Sequence, residues 1–289
     1  MPELPEVETT RRGLLPLVGK TVQSVTIRHA TLRWPIPIFL PETLPKQTLR
    51  GLTRRAKYIL CEFDTGTLLL HLGMSGRIQL LDCNYPPEKH DHFDIQFSPD
   101  IQFNPDIQFN PDIKFNGGQV LRLRDPRRFG AVLWMDNKEN NHTLLNSLGP
   151  EPLEDGFNAK YLHKALSNKT LAIKNAIMDG HVVVGVGNIY ASESLFRARI
   201  HPETSANTVN LKRCEKLVAE IKSTLNDALA AGGSSLRDFF GADGNPGYFQ
   251  QEYFVYGRTG EPCKVCAKPI KCIRLGQRST FYCEHCQKR

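Results

Sequence analysis

The sequence predicts a multidomain α+β chain, and three observations carry that prediction. Short β-rich runs fill the first half, apolar residues switch to helical spacing after Gly149-Pro150, and four regularly spaced cysteines close the tail. With 289 residues, 40% of them hydrophobic and 23% charged, the chain can bury an ordinary core, and its length suggests more than one module.

The amino terminus, Met1-Pro2-Glu3-Leu4-Pro5-Glu6, does not read as a targeting segment. Acidic residues stand where a signal peptide is basic and then apolar, and no apolar stretch approaches the ~18 residues that span a bilayer. A cytoplasmic protein without a membrane partner is expected. A proline at position two becomes the first residue once the initiator methionine is removed. Its secondary amine, with a pKa of about 8, is partly unprotonated near neutral pH and nucleophilic. Attack by such an amine on the anomeric carbon of a sugar gives an iminium ion, a permanent cation that acts as an electron sink for elimination.

Between Thr21 and Met135 the runs TVQSVTIRHA, KYILCEF, TLLLHLGM, VLRLRD and AVLWM are punctuated by Gly, Pro and Asn, which is the pattern of a β-sandwich or barrel. A tandem repeat interrupts it: DIQFSP, DIQFNP, DIQFNP and DIKFNG run from Asp94 to Gly117 with a six-residue period. Each copy puts Ile and Phe on one face of a short strand that Ser-Pro or Asn-Pro then ends. Four aspartates against Lys114 give the segment a local charge of minus three, which keeps it away from phosphates. A lengthened hairpin tip without chemistry is expected there.

Beyond Gly149-Pro150 the clearest helix carries Leu211, Cys214, Leu217, Val218, Ile221, Leu225 and Leu229 on one face and closes at Gly232-Gly233. Upstream, Gly185-Val186-Gly187-Asn188 reads as a glycine turn with Asn188 as helix N-cap, whose free backbone amides attract phosphate. In the tail, Cys263-x2-Cys266-x16-Cys283-x2-Cys286 has the spacing of two knuckles that share one tetrahedral zinc ion. Four thiolates leave no open coordination position, so the predicted metal is structural. Cys272, between the knuckles, reads as a bystander, and the lone cysteines exclude a secreted disulfide framework. The hairpin between the knuckles carries Arg278 at or near its tip, where a guanidinium can grip a phosphate. Net charge is +7, and from Gly257 onward eight basic residues face two acidic ones, so most of the excess lies in the tail. A polyanionic partner is compatible with that distribution.

Seven motifs, MPELPEVET, RRAKY, HLGMSG, PPEKHDH, DPRRFG, GVGNIYASE and the cysteine ribbon, occur in order over essentially the whole chain. In these the chain resembles the formamidopyrimidine-DNA glycosylase family, also called 8-oxoguanine DNA glycosylases. The resemblance implies an N-terminal helix with a two-layered β-sandwich over residues 1–136, a helix-two-turn-helix DNA-binding domain over 150–240, and a zinc ribbon over 254–289. It also implies a bacterial base-excision-repair enzyme, a glycosylase and abasic-site lyase, that acts as a monomer on double-stranded DNA containing a damaged base and cuts the strand by β,δ-elimination.

Residue by residue, the resemblance gives Pro2 as nucleophile and Schiff-base former and Glu3 as the acid that protonates the opening sugar. Lys57 assists proton transfer or holds a phosphate, and Arg278 binds the phosphate beside the lesion and supports δ-elimination. His71, His90, Lys169 and Asn188 match DNA-holding positions, and Lys174 matches a lysine near the damaged base. Met74, Arg127 and Phe129 match the trio that fills the gap left by an everted nucleotide; Met and Phe can wedge between base pairs and Arg can hydrogen-bond the estranged cytosine. Read alone, Met74 and Phe129 are core strand residues and Arg127 a surface charge. Glu6 buttresses the first helix and stays outside the catalytic set. Two rival readings are an enzyme resembling endonuclease VIII, which prefers oxidised pyrimidines, and a zinc-ribbon DNA-binding protein without catalysis. Leu4 and the trio oppose the first, and intact Pro2, Glu3 and Lys57 oppose the second.

Overall fold

A proline in the first turn of a helix costs no hydrogen bond, because that N–H has no intrahelical partner, and the chain uses this at its start. Helix α1 (Leu4–Gly13) has Glu3 as its extended N-cap and Pro5 in its first turn, while Glu6 Oε2 accepts the Glu3 N–H at 2.8 Å to form a capping box. Glu6 is fully buried, consistent with its buttressing role. The computed structural model describes residues 2–99, 118–137, 142–232 and 253–289. They form two compact units that meet in sequence at Thr143.

In the first unit, eight antiparallel strands form two separate sheets. One runs β1 (Val22–Ile27), β6 (Asp91–Phe97), β7 (Gln119–Arg124), β5 (Arg77–Asp82); the other runs β2 (Gly51–Arg55), β3 (Tyr58–Glu62), β4 (Gly66–His71), β8 (Ala131–Asp136). Two sheets rather than one closed ring make this a sandwich, with side chains of both layers, such as Ile59, Leu68, Leu70, Ile78, Phe93, Ile95, Leu121 and Val132, in one core. The short helix α2 (Leu40–Thr43) and α1 contribute Leu40 and Val7 to the same core.

The first copy of the hexapeptide repeat is not a hairpin tip. Asp94–Phe97 lies inside β6, with Ile95 and Phe97 fully buried, as the two-residue alternation requires. On the opposite face Asp94 accepts hydrogen bonds from the buried Arg122 guanidinium at 2.9 Å and from Arg28 at 2.6 Å. The acidic residue of that copy is thus neutralised by strand neighbours. The remaining copies, over 100–117, lie outside the described residues.

The second unit is helical: α3 (Thr143–Asn146), α4 (Ala159–Leu166), α5 (Ile173–Ile177), α6 (Asn188–Arg197) and α7 (Leu211–Ala230). Asn158 and Asn210 cap α4 and α7, each side chain accepting the N–H three residues on at 3.0 Å. Helix α7 buries Cys214, Leu217, Val218, Ile221 and Leu225, the apolar face read from the sequence, and ends just before Gly232 at φ +76°. The tail adds a hairpin of β9 (Lys271–Leu275) and β10 (Arg278–Tyr282), joined by Gly276-Gln277 with φ of +50° and +61°. Two left-handed residues in a two-residue loop match the right-handed twist of a hairpin. Buried Glu193 on α6 ties the tail down by accepting the N–H groups of Phe254, Val255 and Tyr256 at 2.8–2.9 Å.

Candidate active site, nucleic-acid interface and metal centre

Strand register gathers most of the predicted catalytic and DNA-facing residues of the first unit at one end of the sandwich. Tyr58, His71 and Ala131 pair side by side at the ends of β3, β4 and β8, and Lys57 stands on the turn just before Tyr58, after Ala56 at φ +54°. At the same end, Arg124 of β7 pairs with Arg77 and Asp91, so His90 directly precedes the strand start. The loop 72–76 crosses from one sheet to the other, and the loop 125–130 crosses back. These crossings carry Met74, Arg127 and Phe129. Met74 and Phe129 are 40% and 45% exposed, which overturns their reading as core. The Arg127 guanidinium lies 4.9 Å over the Phe129 ring. Pro2 and Glu3, both buried, open α1, which packs against β2 and β3 on either side of the Lys57 turn.

At this end the surroundings of His71 fix both its tautomer and its charge. Its Nδ1 accepts the Gly73 N–H at 3.0 Å, so the neutral ring carries its proton on Nε2, and its face meets the Tyr58 ring at 4.8 Å. Burial, reinforced by the cations Lys57 and Arg33, pushes its pKa down to about 4. At neutral pH His71 is therefore an uncharged hydrogen-bond donor beside two cations.

In the second unit, Lys174, Asn188 and the start of β10 form one cluster. The Lys174 ammonium is fully buried and donates to Asn188 Oδ1 at 2.6 Å, Thr280 Oγ1 at 2.7 Å and the Ser279 carbonyl at 3.2 Å. The Asn188 Nδ2 donates to the same Ser279 carbonyl at 3.0 Å. Asn188 is consequently not the N-cap: Gly187 takes the extended cap conformation, and the Asn188 side chain is held by the lysine and the hairpin instead. Lys174 likewise points into the domain, whereas Arg278, one residue before this cluster, is exposed. Lys169 lies apart on the segment after α4, 3.6 Å from Asp179.

Cys263, Cys266, Cys283 and Cys286 bring their sulfurs within 4.8 Å of one another, with 3.9 Å between Cys263 and Cys286 and 3.5 Å between Cys266 and Cys283. A tetrahedron of thiolates about 2.3 Å from zinc has sulfurs about 3.8 Å apart. The donor set fits one structural zinc ion. Cys272 is exposed on β9 and outside the cluster.

Three family models match the chain: formamidopyrimidine-DNA glycosylase N-terminal domain over residues 1–132, formamidopyrimidine-DNA glycosylase H2TH domain over 148–240, and zinc finger found in FPG and IleRS over 260–289. The chain belongs to the formamidopyrimidine-DNA glycosylase family. Among its glycosylase relatives, the formamidopyrimidine-DNA glycosylase of Methylobacillus flagellatus is 59% identical over 288 residues, covering 100% of this chain and 97% of the relative. A solved structure of the Lactococcus lactis enzyme with DNA containing N7-benzyl-Fapy-dG is 33% identical with a TM-score of 0.85, covering 100% of both chains. MutM in complex with DNA containing carbocyclic 8-oxo-G is similar at 33% identity and a TM-score of 0.85, again over 100% of both.

Within this glycosylase fold, sequence reading missed the buried carboxylates. Glu193 lies in GVGNIYASE and Asp125 opens DPRRFG, but only the strand pairing and the tail's path show what each of them holds. For Glu193, a carboxylate among mostly small or apolar residues was the available signal; DPRRFG, with two arginines, offered none for Asp125.

Proposed function

We propose that this chain is a bifunctional DNA glycosylase and abasic-site lyase that removes oxidised purines, 8-oxoguanine and formamidopyrimidines, from double-stranded DNA. The observation that carries the reading is the membership of the family over the full length; Pro2 and Glu3 are buried at the start of α1, and Lys57 lies at the end of the sandwich that bears the exposed Met74, Arg127 and Phe129. After removal of Met1, the Pro2 nitrogen donates its lone pair to the sugar C1′, and the bond from C1′ to the base nitrogen breaks. Glu3 supplies the proton that the ring oxygen takes as the sugar opens. The amine's own proton balances the departing base, which leaves as a neutral purine, and breaking of the bond from C1′ to the ring oxygen leaves an iminium ion on Pro2 that is cationic at every pH. Loss of the C2′ proton then drives the 3′ phosphate out, and a second elimination releases the 5′ phosphate.

Lys57 and neutral His71 hold backbone oxygens at the lesion, one by charge and one by its Nε2–H. His90, Lys169, Asn188 and Arg278 hold further phosphates, and Lys174 serves from inside by fixing Asn188 and the strand that Arg278 begins. Met74, Arg127 and Phe129 fill the stack once the nucleotide is everted. One zinc ion on Cys263, Cys266, Cys283 and Cys286 makes the Arg278 hairpin rigid. The working units are residues 1–136, 150–240 and 254–289, and the enzyme acts as a monomer in the bacterial cytoplasm, on nucleoid DNA.

Borohydride trapping on a duplex with 8-oxoguanine opposite cytosine tests this. A covalent adduct is expected from the native chain and a weak one or none from Pro2→Gly. Preference for a thymine-glycol duplex would move the assignment to oxidised pyrimidines, and DNA binding without any adduct would leave a non-catalytic zinc-ribbon protein.

A further inference from the structure

The two loops that carry Met74, Arg127 and Phe129 are joined by a buried carboxylate. Asp125 is 0% exposed, and each of its polar atoms is used. Oδ1 accepts the Ser75 hydroxyl at 2.6 Å, and Oδ2 accepts the Gly130 N–H at 2.7 Å. The Asp125 carbonyl accepts Nε2–H of His92 at 3.0 Å and the Arg128 N–H at 3.1 Å, while its own N–H donates to the His90 carbonyl at 3.0 Å. Ser75 Oγ, having given its proton to Asp125, accepts the Arg127 N–H at 3.1 Å. One Asp–Ser pair thus links the residue after Met74 to the backbone on both sides of the Arg127–Phe129 segment.

The loops also interlock through backbone. Gly73 has φ +62°, and a Cβ there would lie 2.3 Å from the Phe129 carbonyl carbon; a Cβ on Gly130 would lie 2.8 Å from the His71 carbonyl. Arg128 keeps the left-handed φ of +56°, with its guanidinium 2.7 Å from His29 Nε2, and the Arg33 N–H holds the Gly130 carbonyl at 3.0 Å. A non-glycine residue stays in that region only where its surroundings fix it.

We propose that Asp125 and Ser75 are positioning residues that make the Met74 loop and the Arg127–Phe129 loop a single preassembled wedge, set before DNA arrives. The proposal rests on the functional reading above, in which those three side chains fill the emptied stack. Without the latch the side chains remain but their spacing is no longer fixed, and small displacements cost much in such geometries.

The test is single-turnover kinetics with the full-length protein on two substrates: the 8-oxoguanine·cytosine duplex, and a single-stranded oligonucleotide with a preformed abasic site, which has no stacked base to expel and no estranged partner to hold. Ser75→Ala is expected to slow duplex excision by about tenfold or more, since it strips a buried carboxylate of a donor and an N–H of its acceptor, with single-strand cleavage unchanged. Ser75→Thr, which keeps the hydroxyl, is expected to restore the duplex rate. In a background with Met74, Arg127 and Phe129 all replaced by Ala, Ser75→Ala should cost little more, because its effect passes through those three side chains. Unchanged duplex excision, equal loss on both substrates, or additive effects would overturn the proposal. A native chain inactive on both substrates would instead overturn the functional reading, and this proposal with it.

Discussion

His71 shows how one side chain can sit among cations without adding a charge. Its Nδ1 is committed to the Gly73 N–H, so no tautomeric freedom remains, and burial with Lys57 and Arg33 nearby holds its pKa at about 4. The value in the unfolded chain is about 6.5. Because the folded pKa is depressed, folding favours the neutral ring; the stabilisation is fully present above about pH 6.5 and is lost as pH falls towards 4. Thermal denaturation from pH 7.5 to 4.5 should therefore show the native protein losing stability more steeply than His71→Gln, which cannot be protonated. Identical pH slopes would contradict this assignment. The HLGMSG motif singles out His71 but not its protonation state, which depends on burial and on cations 14 and 38 residues earlier in the chain.

At the scale of elements, the junction between α5, α6 and β10 depends on one ammonium. Lys174 uses its three protons on Asn188, Thr280 and Ser279, partners up to 106 residues away. Replacing it with Met keeps the buried stem but takes this donor from Asn188 Oδ1 and Thr280 Oγ1, leaving the Ser279 carbonyl only its bond from Asn188 Nδ2, at a cost of about 1–3 kcal/mol. Hydrogen exchange should show β10 and the first turn of α6 losing protection together in Lys174→Met. Lys174→Arg is not expected to rescue, since a planar fork does not fit three converging oxygens. Unaltered protection in both variants would show that the junction is held otherwise. No local pattern reveals such a contact: IKNAI reads as a short helix whatever its lysine touches. Elements whose signal is local were legible. The β-rich runs KYILCEF and AVLWM give β3 and β8, and the 3.6-residue spacing gives α7 almost to its last residue. Strand β2, GLTRR, was missed because it is an edge strand with few buried side chains and little alternation to read. The cap of α6 was misplaced by one residue because Asn188 has the side chain of a cap, and only the distant lysine and hairpin withdraw it from that role. Repetition in the DIQF segment suggests an inserted tip, although the Ile and Phe of its first copy fit the sandwich core.

For the molecule as a whole, the sandwich and the tail differ in what holds them. The sandwich has a core shared by two four-stranded sheets, whereas the tail gathers only a small cluster of Phe196, Val255, Cys263, Ile270 and Cys283 around a two-stranded hairpin. So small a module cannot offset its chain entropy by burial alone, and the binding free energy of the zinc ion is part of its folding. Six of the seven excess positive charges also lie from Gly257 onward. Chelation should therefore unfold the ribbon, lower DNA affinity and flatten its dependence on salt, because fewer cations then displace counterions. Both tryptophans, Trp34 and Trp134, belong to the sandwich, so their fluorescence reports on that unit alone. After chelation the tryptophan melting transition should stay where it was while hydrogen exchange at β9 and β10 becomes rapid. Readdition of one equivalent of zinc should restore both protection and the salt slope. A tryptophan transition that shifts with the metal would show that the sandwich draws stability from the tail, and unchanged protection of β9 and β10 would show that the hairpin folds without it.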